Sequence, residues 1–430
     1  MSIAPPPPDC HDDDDAPPPR GGHDGHAGRD GHDGHATHAH GWRAHAAFAR
    51  SSGGRLLVGA VALLALATVV GLVALWPGEA PARRAGQNGF GSATVGAEVV
   101  RVREGDCPGP AQQRCRTIVV QVDDGPRATL DLGPVELVSE FAPGDGVRVQ
   151  RIAQPGGRTV YAFSGVERRG TLLWLAVAFA VLIVVMARWR GLLALAGFAL
   201  SLLLILEFVV PAILRGEPPL LVALVGALAV MFVTVGLTYG LTAQSAAAAL
   251  GIAVTLLIAT AIGTLATHGA KLDGHFGELS GALVQNAGAI SLQGIVLAGL
   301  VLGALGVLAD MAVTQASAVM AVRRANPGLG ARRLYREGYA VGRDHLVATT
   351  HTLMLAYAGA TLPLLLVLQS GGAATVDALN LHDLAEPIVA TLVGSIALLL
   401  SVPITTGLAA AVVARIPAAA LPEGGHTHAH

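Results

Sequence analysis

Long apolar runs alternate with short polar connections through most of this chain. The first run covers residues 56–76. A helix of about 20 apolar residues crosses the roughly 30 Å hydrocarbon core of a bilayer, so each run is long enough to span a membrane. The pattern predicts a polytopic α-helical membrane protein with about eight transmembrane helices. The seven later runs are at about 171–187, 192–214, 220–240, 245–267, 289–310, 347–369 and 388–414.

Residues 77–170, between the first two runs, follow a different pattern. Stretches such as "RTIVVQV" and "GVRVQRI" alternate apolar and polar positions, and "DDGP", "APGDG" and "QPGG" separate them. Alternation with period two, bounded by Gly, Pro and Asp, is typical of β-strands. Five such stretches predict a small antiparallel β domain, either an OB-like barrel or a meander.

The two ends of the chain carry little apolar sequence. Residues 1–50 consist largely of Pro, Gly, Asp and His. Such a segment cannot bury enough apolar surface to offset its chain entropy, so we predict a disordered tail. A second, shorter tail covers 415–430 and ends in "HTHAH".

Composition agrees with a membrane protein. The chain of 430 residues is 52% hydrophobic and 13% charged, against about 25% charged residues in soluble domains. A net charge of −2 gives no reason to expect a nucleic-acid partner. The sequence contains no GxxxxGK[ST], HExxH or GxSxG motif, so we expect neither P-loop ATP hydrolysis nor another enzymatic activity.

Arginines predict the orientation. They cluster before the first run, after the second, between the sixth and seventh, and after the eighth. With eight crossings these segments share one side, which the positive-inside rule makes cytoplasmic. We therefore expect both termini to be cytoplasmic, the β domain to be extracytoplasmic, and the protein to reside in the plasma membrane. The arginines are Arg43, Arg50, Arg55, Arg188, Arg190, Arg323, Arg324, Arg332, Arg333, Arg336, Arg343 and Arg415.

Two of the three cysteines flank a turn in the β domain, "CPGPAQQRC". An extracytoplasmic, oxidising location favours a disulfide between Cys107 and Cys115, with a metal site as the alternative. Cys10 lies in the N-terminal tail, where we expect a free thiol.

Ionisable side chains inside an apolar run are costly, about 2.5–3.5 kcal/mol each on insertion scales. Glu207 lies in one run, one turn before Pro211. Asp310, Thr314 and Ser317 share a helical face farther along. Such residues line an interior path or form polar seams between helices, and both readings stay open here.

The stretch "GRDHLVATTHTLMLAYAGATLPLLL" begins with polar pairs at helical spacing. Asp344 and His351 are seven residues apart and share a face, and His351 could shuttle protons or bind a metal. An interfacial histidine with a local partner is the alternative. Taken together, these residues predict a transport path. Its lining would be Glu207, Asp310, Thr314, Ser317, Asp344 and His351.

The loop "THGAKLDGHFGELSGALVQNAG" contains further ionisable residues, among them His268, Lys271, Asp273, His275 and Glu278. It could form a cation-collecting mouth or a re-entrant gate. A solvated loop is the alternative.

Both tails are rich in histidine, whose imidazole suits Zn, Ni, Cu and Co. We expect weak divalent-metal binding there and no other cofactor. The alternative is that the histidines result from sequence drift in a low-complexity tail. The candidate ligands are His23, His26, His32, His35, His38, His40, His426, His428 and His430.

The segment "LGALGVLADMAVTQASAVMAVRRANPGLGARRLYREGYAVGRDHLVATTHTLMLAYAGATLPLLL" resembles the core of the YibE/F family of bacterial multispan proteins. The resemblance covers roughly residues 170–414. The family's Thr-Gln-Ala-Ser and Gly-Arg-Asp patterns fall on 314–317 and 342–344, whereas His351 stands where the family usually carries Asn. The resemblance implies a predicted permease without an established substrate.

Two functions follow as expectations. The first is a permease for a small ion or solute, with the lipid bilayer as its surroundings and a homo-oligomer compatible with the pattern. The alternative is a membrane scaffold or sensor that binds a partner through its β domain.

Overall fold

A computed structural model of the chain describes residues 52–78, 94–107, 113–123, 125–154, 159–240, 242–274, 290–372 and 374–416. The predicted disordered tail and the candidate metal-binding histidines of both tails lie outside these ranges, as do His275 and Glu278.

Helices make up most of the described chain. The apolar runs form them because a backbone in hydrocarbon must satisfy its own hydrogen bonds. The helices are α1 (Ser52–Ala74), α2 (Arg169–Leu204), α3 (Val210–Leu214), α4 (Pro219–Tyr239), α5 (Ala243–Gly269), α6 (Leu292–Ala325), α7 (Ala331–Ser370), α8 (Thr375–Leu379) and α9 (His382–Val413).

By length and composition, seven helices of the described chain could cross a membrane, one fewer than predicted. The difference lies in Arg169–Leu214, a segment of 46 residues that is counted as one span. It consists of α2, a π-helical turn at Ile205–Val209 and α3. Both predicted runs, 171–187 and 192–214, fall within it.

The long helix reverses direction at Arg188, which has non-helical dihedral angles (φ 53°, ψ −130°). A Cβ added at Gly191 would overlap the carbonyl oxygen of Ile183, although eight residues of continuous helix would separate the two by about 12 Å. The two predicted runs therefore survive as the two arms of a helical hairpin, which approach each other closely at the turn.

The helices differ in how much of their surface other helices cover. In the most apolar window of α4, of α5 and of α6, 56% of residues are buried, against 0% for the windows of α2 and α7. These three helices and α9 hold the main apolar core, which includes Met231, Ile252, Leu256, Leu308 and Ala397. The outer helices expose their apolar side chains, as lipid contact requires.

A five-stranded antiparallel sheet, ordered β3-β2-β1-β4-β5, forms the domain between α1 and α2. Because β4 pairs with β1 rather than with β3, the meander alternative is wrong. The first strand bulges at Val99/Arg101 and pairs with two partners, and β3 approaches β5, so the sheet curls like a barrel. The strands are β1 (Thr94–Asp106), β2 (Arg114–Val122), β3 (Arg127–Pro134), β4 (Gly146–Ala153) and β5 (Thr159–Val166).

Alternating residues of these strands face a small apolar core. Ile118, Val120 and Val122 of β2 are at most 1% exposed, as the period-two pattern predicts. In the structure Cys107 and Cys115 form a disulfide, with their Cα atoms 4.9 Å apart. It closes the turn between β1 and β2.

One buried charge ties the sheet to the following loop. Arg116, only 6% exposed, donates hydrogen bonds to the carbonyl of Ser139 (2.8 Å) and to Oε1 of Glu104 (2.9 Å). Arg114 adds a second ion pair to Glu104 at 3.4 Å.

The junction between the sheet and α2 is short and bonded on both sides. The Glu167 backbone N–H donates to the carbonyl of Gly146 in β4 (2.9 Å). The Glu167 carboxylate accepts from the backbone N–H of Arg169 (3.0 Å) and pairs with Arg148 (3.6 Å). The end of β5 and the start of α2 are thereby fixed to each other.

We expect Glu104→Gln to lower the melting temperature at neutral pH and to matter less as the pH falls. The hydrogen bond from Arg116, with the charges of Arg114 and Arg116, holds the pKa of the Glu104 carboxyl below its ordinary value. A carboxyl of this kind stabilises the fold above its unfolded pKa, about 4.3, and this stabilisation is lost as the pH falls through the folded pKa.

Thermal unfolding of the full-length protein in detergent, from neutral to acidic pH, measures this difference. Glu98→Gln, on the exposed side of the same strand, is the control and should follow the wild type. A deficit of Glu104→Gln that stayed constant down to pH 3 would contradict the assignment.

Candidate functional site

Helix packing defines the two ends of the bundle. Gly71 of α1 lies against Val225 of α4, and Trp76 stacks on Phe208 with ring centroids 5.7 Å apart. The end of α1, the return arm of the hairpin and the start of α4 therefore meet. Since α2 follows the sheet directly, we name this the β-domain end. There α5 and α7 end, and α6 and α9 begin.

The predicted path residues are not gathered in one place. Glu207 lies in the π-helical turn with its side chain exposed, although Phe208 and Val209 beside it are buried. Asp344 and His351 are exposed on α7, on the side opposite the buried stripe that includes Gly342 and Leu346.

On α6, Asp310 and Thr314 are also exposed. They continue an exposed stripe of small residues formed by Gly299, Gly303 and Gly306. Ser317 differs, because it is half-buried and accepts a hydrogen bond from the side-chain amide of Gln244 in α5. Of the six predicted residues, only Ser317 therefore has a described hydrogen bond to another helix.

A cavity of about 300 Å³ opens instead at the β-domain end, between α5, α6, α7 and α9. Its walls are mostly apolar, but three polar side chains reach it: Thr267 of α5, Tyr357 of α7 and Glu386 of α9. Gly299 of α6 contributes backbone to the lining. Among the described residues no hydrogen bond to the Glu386 carboxylate is seen, and its side chain is half-buried.

Two further ionisable groups stand close to this cavity. Nδ1 of His382 lies 3.9 Å from Oδ1 of Asp273. His382 is one turn before Glu386 on α9, so the histidine and the cavity carboxylate share a face. Asp273 follows α5 with 63% of its side chain exposed and connects this group to solvent. The predicted cation-collecting loop thus contributes Asp273 in the described chain, whereas His268 lies exposed at the end of α5.

Proline loosens the helix at the same point. Pro387 lies inside α9 and has no N–H to donate to the carbonyl of Asp383, so this turn lacks one of its helical hydrogen bonds. Pro387 and Tyr357 also border a second cavity, of about 320 Å³, between α7 and α9. Its lining is apolar apart from Tyr357, Thr361 and Thr391.

A larger cleft, about 400 Å³, lies between α1 and the α4–α5 pair. Its lining contains no charged side chain, and Thr242 and Ser245 already bond each other in the cap of α5. It therefore offers no chemistry for a charged solute.

The part of the chain that the structure describes contains no group of three His, Cys, Asp or Glu side chains placed to hold a metal ion. Metal binding by the histidine tails stays a prediction, since those tails are outside the described ranges.

Sequence reasoning missed Glu386 and Tyr357 as site residues. Glu386 stands two residues before the apolar run 388–414, a position that is equally typical of a loop. The signal that could have identified it is the combination of His382 and Glu386 four residues apart with Pro387, at the start of a membrane helix.

Comparison with protein families gives one match, which covers more than half of the chain. The family described as YibE/F-like protein matches residues 175–415. Comparisons with curated proteins and with solved structures gave no match. The matched region begins within α2, extends beyond α9 and includes every helix that lines the cavity. The chain therefore belongs to the YibE/F-like family.

Proposed function

We propose that this protein is a permease for a small cation, which enters the bundle at the cavity lined by Glu386. The observation that carries this proposal is a carboxylate without a described hydrogen-bond partner, half-buried in a cavity between four helices. An ionisable group at membrane depth is costly unless it serves a partner or a path. Asp273 and His382 at the mouth would attract and order an incoming cation.

The distribution of arginines supports an external position for this entrance. Counted with both arms of the α2 hairpin, the described part of the chain has eight membrane-length segments, and its arginine-rich connections lie at the end opposite the β domain. The positive-inside rule makes that end cytoplasmic. The cavity and the sheet then share the extracytoplasmic side.

Flux through liposomes tests the proposal. Full-length protein is reconstituted, and the flux of protons, Na⁺, K⁺ and Mg²⁺ is compared with that of empty liposomes. We expect flux of at least one cation, and we expect Glu386→Gln to reduce it to the empty-liposome level because the neutral amide no longer balances a cation's charge.

Asp377→Asn is the matched control, since this acid is exposed at the same end of the bundle in α8. Glu207→Gln and Asp310→Asn should also retain flux, because both side chains lie outside the cavity. If the folded wild-type protein carried no cation, or if Glu386→Gln conducted normally, the proposal would be wrong. Absence of all flux would favour the scaffold or sensor function.

A further inference from the structure

Three buried hydroxyl groups on α9 have no hydrogen-bond partner among the described residues: Ser395, Ser401 and Thr405. They are 5%, 0% and 0% exposed. Other hydroxyls in these helices bond back to a carbonyl one turn earlier, as Thr406 does to Val402 (2.6 Å) and Thr255 to Gly251 (2.7 Å). The three are therefore exceptions within the same bundle, and a buried polar group without a partner is unfavourable.

The contact between α5 and α9 places two of these hydroxyls. A Cβ added at Gly251 of α5 would overlap Oγ1 of Thr405, so the missing side chain leaves room for that oxygen. The two helices are antiparallel, because Thr267 near the end of α5 shares the cavity with Glu386 near the start of α9. Ser401 is one turn before Thr405, and Thr255 is one turn after Gly251. In antiparallel helices Ser401 and Thr255 therefore lie at the same depth in the bundle.

The hydroxyls lie between the cavity and the opposite end of the bundle. From Glu386 to Thr405 the helix rises about 28 Å, close to the roughly 30 Å thickness of the hydrocarbon core. Ser395 and Ser401 stand between these two residues. Beyond Gly251, two turns toward the start of α5, Gln244 donates its hydrogen bond to Ser317. Polar side chains thus recur at several depths of the core between the two ends of the bundle.

We propose that the cation is the proton and that it crosses inside the core past Ser395 of α9 and then along the seam between α5 and α9 through Ser401 and Thr405. This inference rests on the proposed permease function and identifies its substrate. A metal cation such as Mg²⁺ or Ca²⁺ needs about six oxygen ligands at one point. Here the free hydroxyls stand singly, four and six residues apart, so no level supplies a coordination shell.

A hydroxyl suits proton transfer because it donates and accepts at once. Each oxygen accepts a proton from a bridging water on one side and releases its own proton to a water on the other. The hydroxyl is chemically unchanged after the transfer and only has to reorient. Glu386 supplies the carboxylate that receives the proton at the entrance.

Neighbouring threonines provide a matched test. Thr405 and Thr406 are both 0% exposed, but only the Thr406 hydroxyl has a described hydrogen bond. Valine has nearly the shape of threonine without the hydroxyl. We expect Thr405→Val to lose proton flux in liposomes while its melting temperature stays equal or rises. Thr406→Val should keep its flux but melt at a lower temperature, because its bonded hydroxyl is removed.

Ser401→Ala is the second variant, in case Thr405→Val does not fold, and it should also lose proton flux. Retained proton flux in both Ser401→Ala and Thr405→Val would overturn the inference, as would an equal loss in Thr406→Val. A wild-type protein that conducts Na⁺, K⁺ or Mg²⁺ but not protons would also overturn it and leave the permease proposal standing. A wild-type protein that carries no cation would remove both.

Discussion

Replacing Gly191 by alanine is expected to destabilise the full-length protein by about 1–3 kcal/mol, the usual cost of overpacking a tight contact. The new Cβ would overlap the backbone carbonyl of Ile183 and stand 3.2 Å from Cα of Val184. Because these are backbone atoms, no side-chain rotation relieves the overlap. The two arms of the α2 hairpin must separate, and the strained Arg188 turn must change with them.

Gly197→Ala is the control in the same helix. Its added Cβ would meet Thr234 at 3.7 Å, an ordinary van der Waals distance. We expect a clear fall in melting temperature in detergent for Gly191→Ala and little change for Gly197→Ala. Equal melting temperatures for the two variants would show that the reversal at Arg188 is not present in the folded protein.

Removal of the disulfide is expected to cause the second large loss of stability. The bond joins cysteines eight residues apart, and the chain-entropy relation gives about 2.5 kcal/mol for a loop this short. The double variant Cys107→Ser with Cys115→Ser should unfold its β domain at a lower temperature than the wild type. Near-UV circular dichroism of the full-length protein follows this transition.

A reducing agent is the internal control for that experiment. It should lower the wild-type transition to that of the double variant and leave the variant itself unchanged. A wild type insensitive to reduction, with a transition equal to that of the variant, would mean that the cysteines are unpaired in the isolated protein.

The membrane segments and the strands could be predicted from the sequence because both signals are local. Twenty apolar residues must form a hydrogen-bonded helix in hydrocarbon, and alternation over a short strand produces one buried face. The join at Arg188 was not predictable in the same way. A short polar interruption is compatible with two separate helices or with a hairpin, and the decision comes from the contact of Gly191 with Ile183.

The site was harder to predict because membrane helices are apolar on every side. The sequence of α6 does not reveal that Asp310 is exposed, since the apolar residues around it look alike whether they contact lipid or another helix. The helices that pack around α6 decide which of its sides is exposed, and a single sequence does not show which helices these are. Glu386 was overlooked for the converse reason, because it is close to a loop in the sequence but within the bundle in space.

The junction at Glu167 has a mechanical consequence. Because hydrogen bonds and an ion pair at Glu167 join the sheet to the first turn of α2, rotation of the β domain relative to this helix is restricted. The adjoining arm of the hairpin is exposed along almost its whole length, so a movement of the sheet would be passed to an arm that few other residues hold in place. A partner that binds the β domain would therefore also act on this arm of α2 and, through the reversal at Arg188, on the opposite end of the bundle.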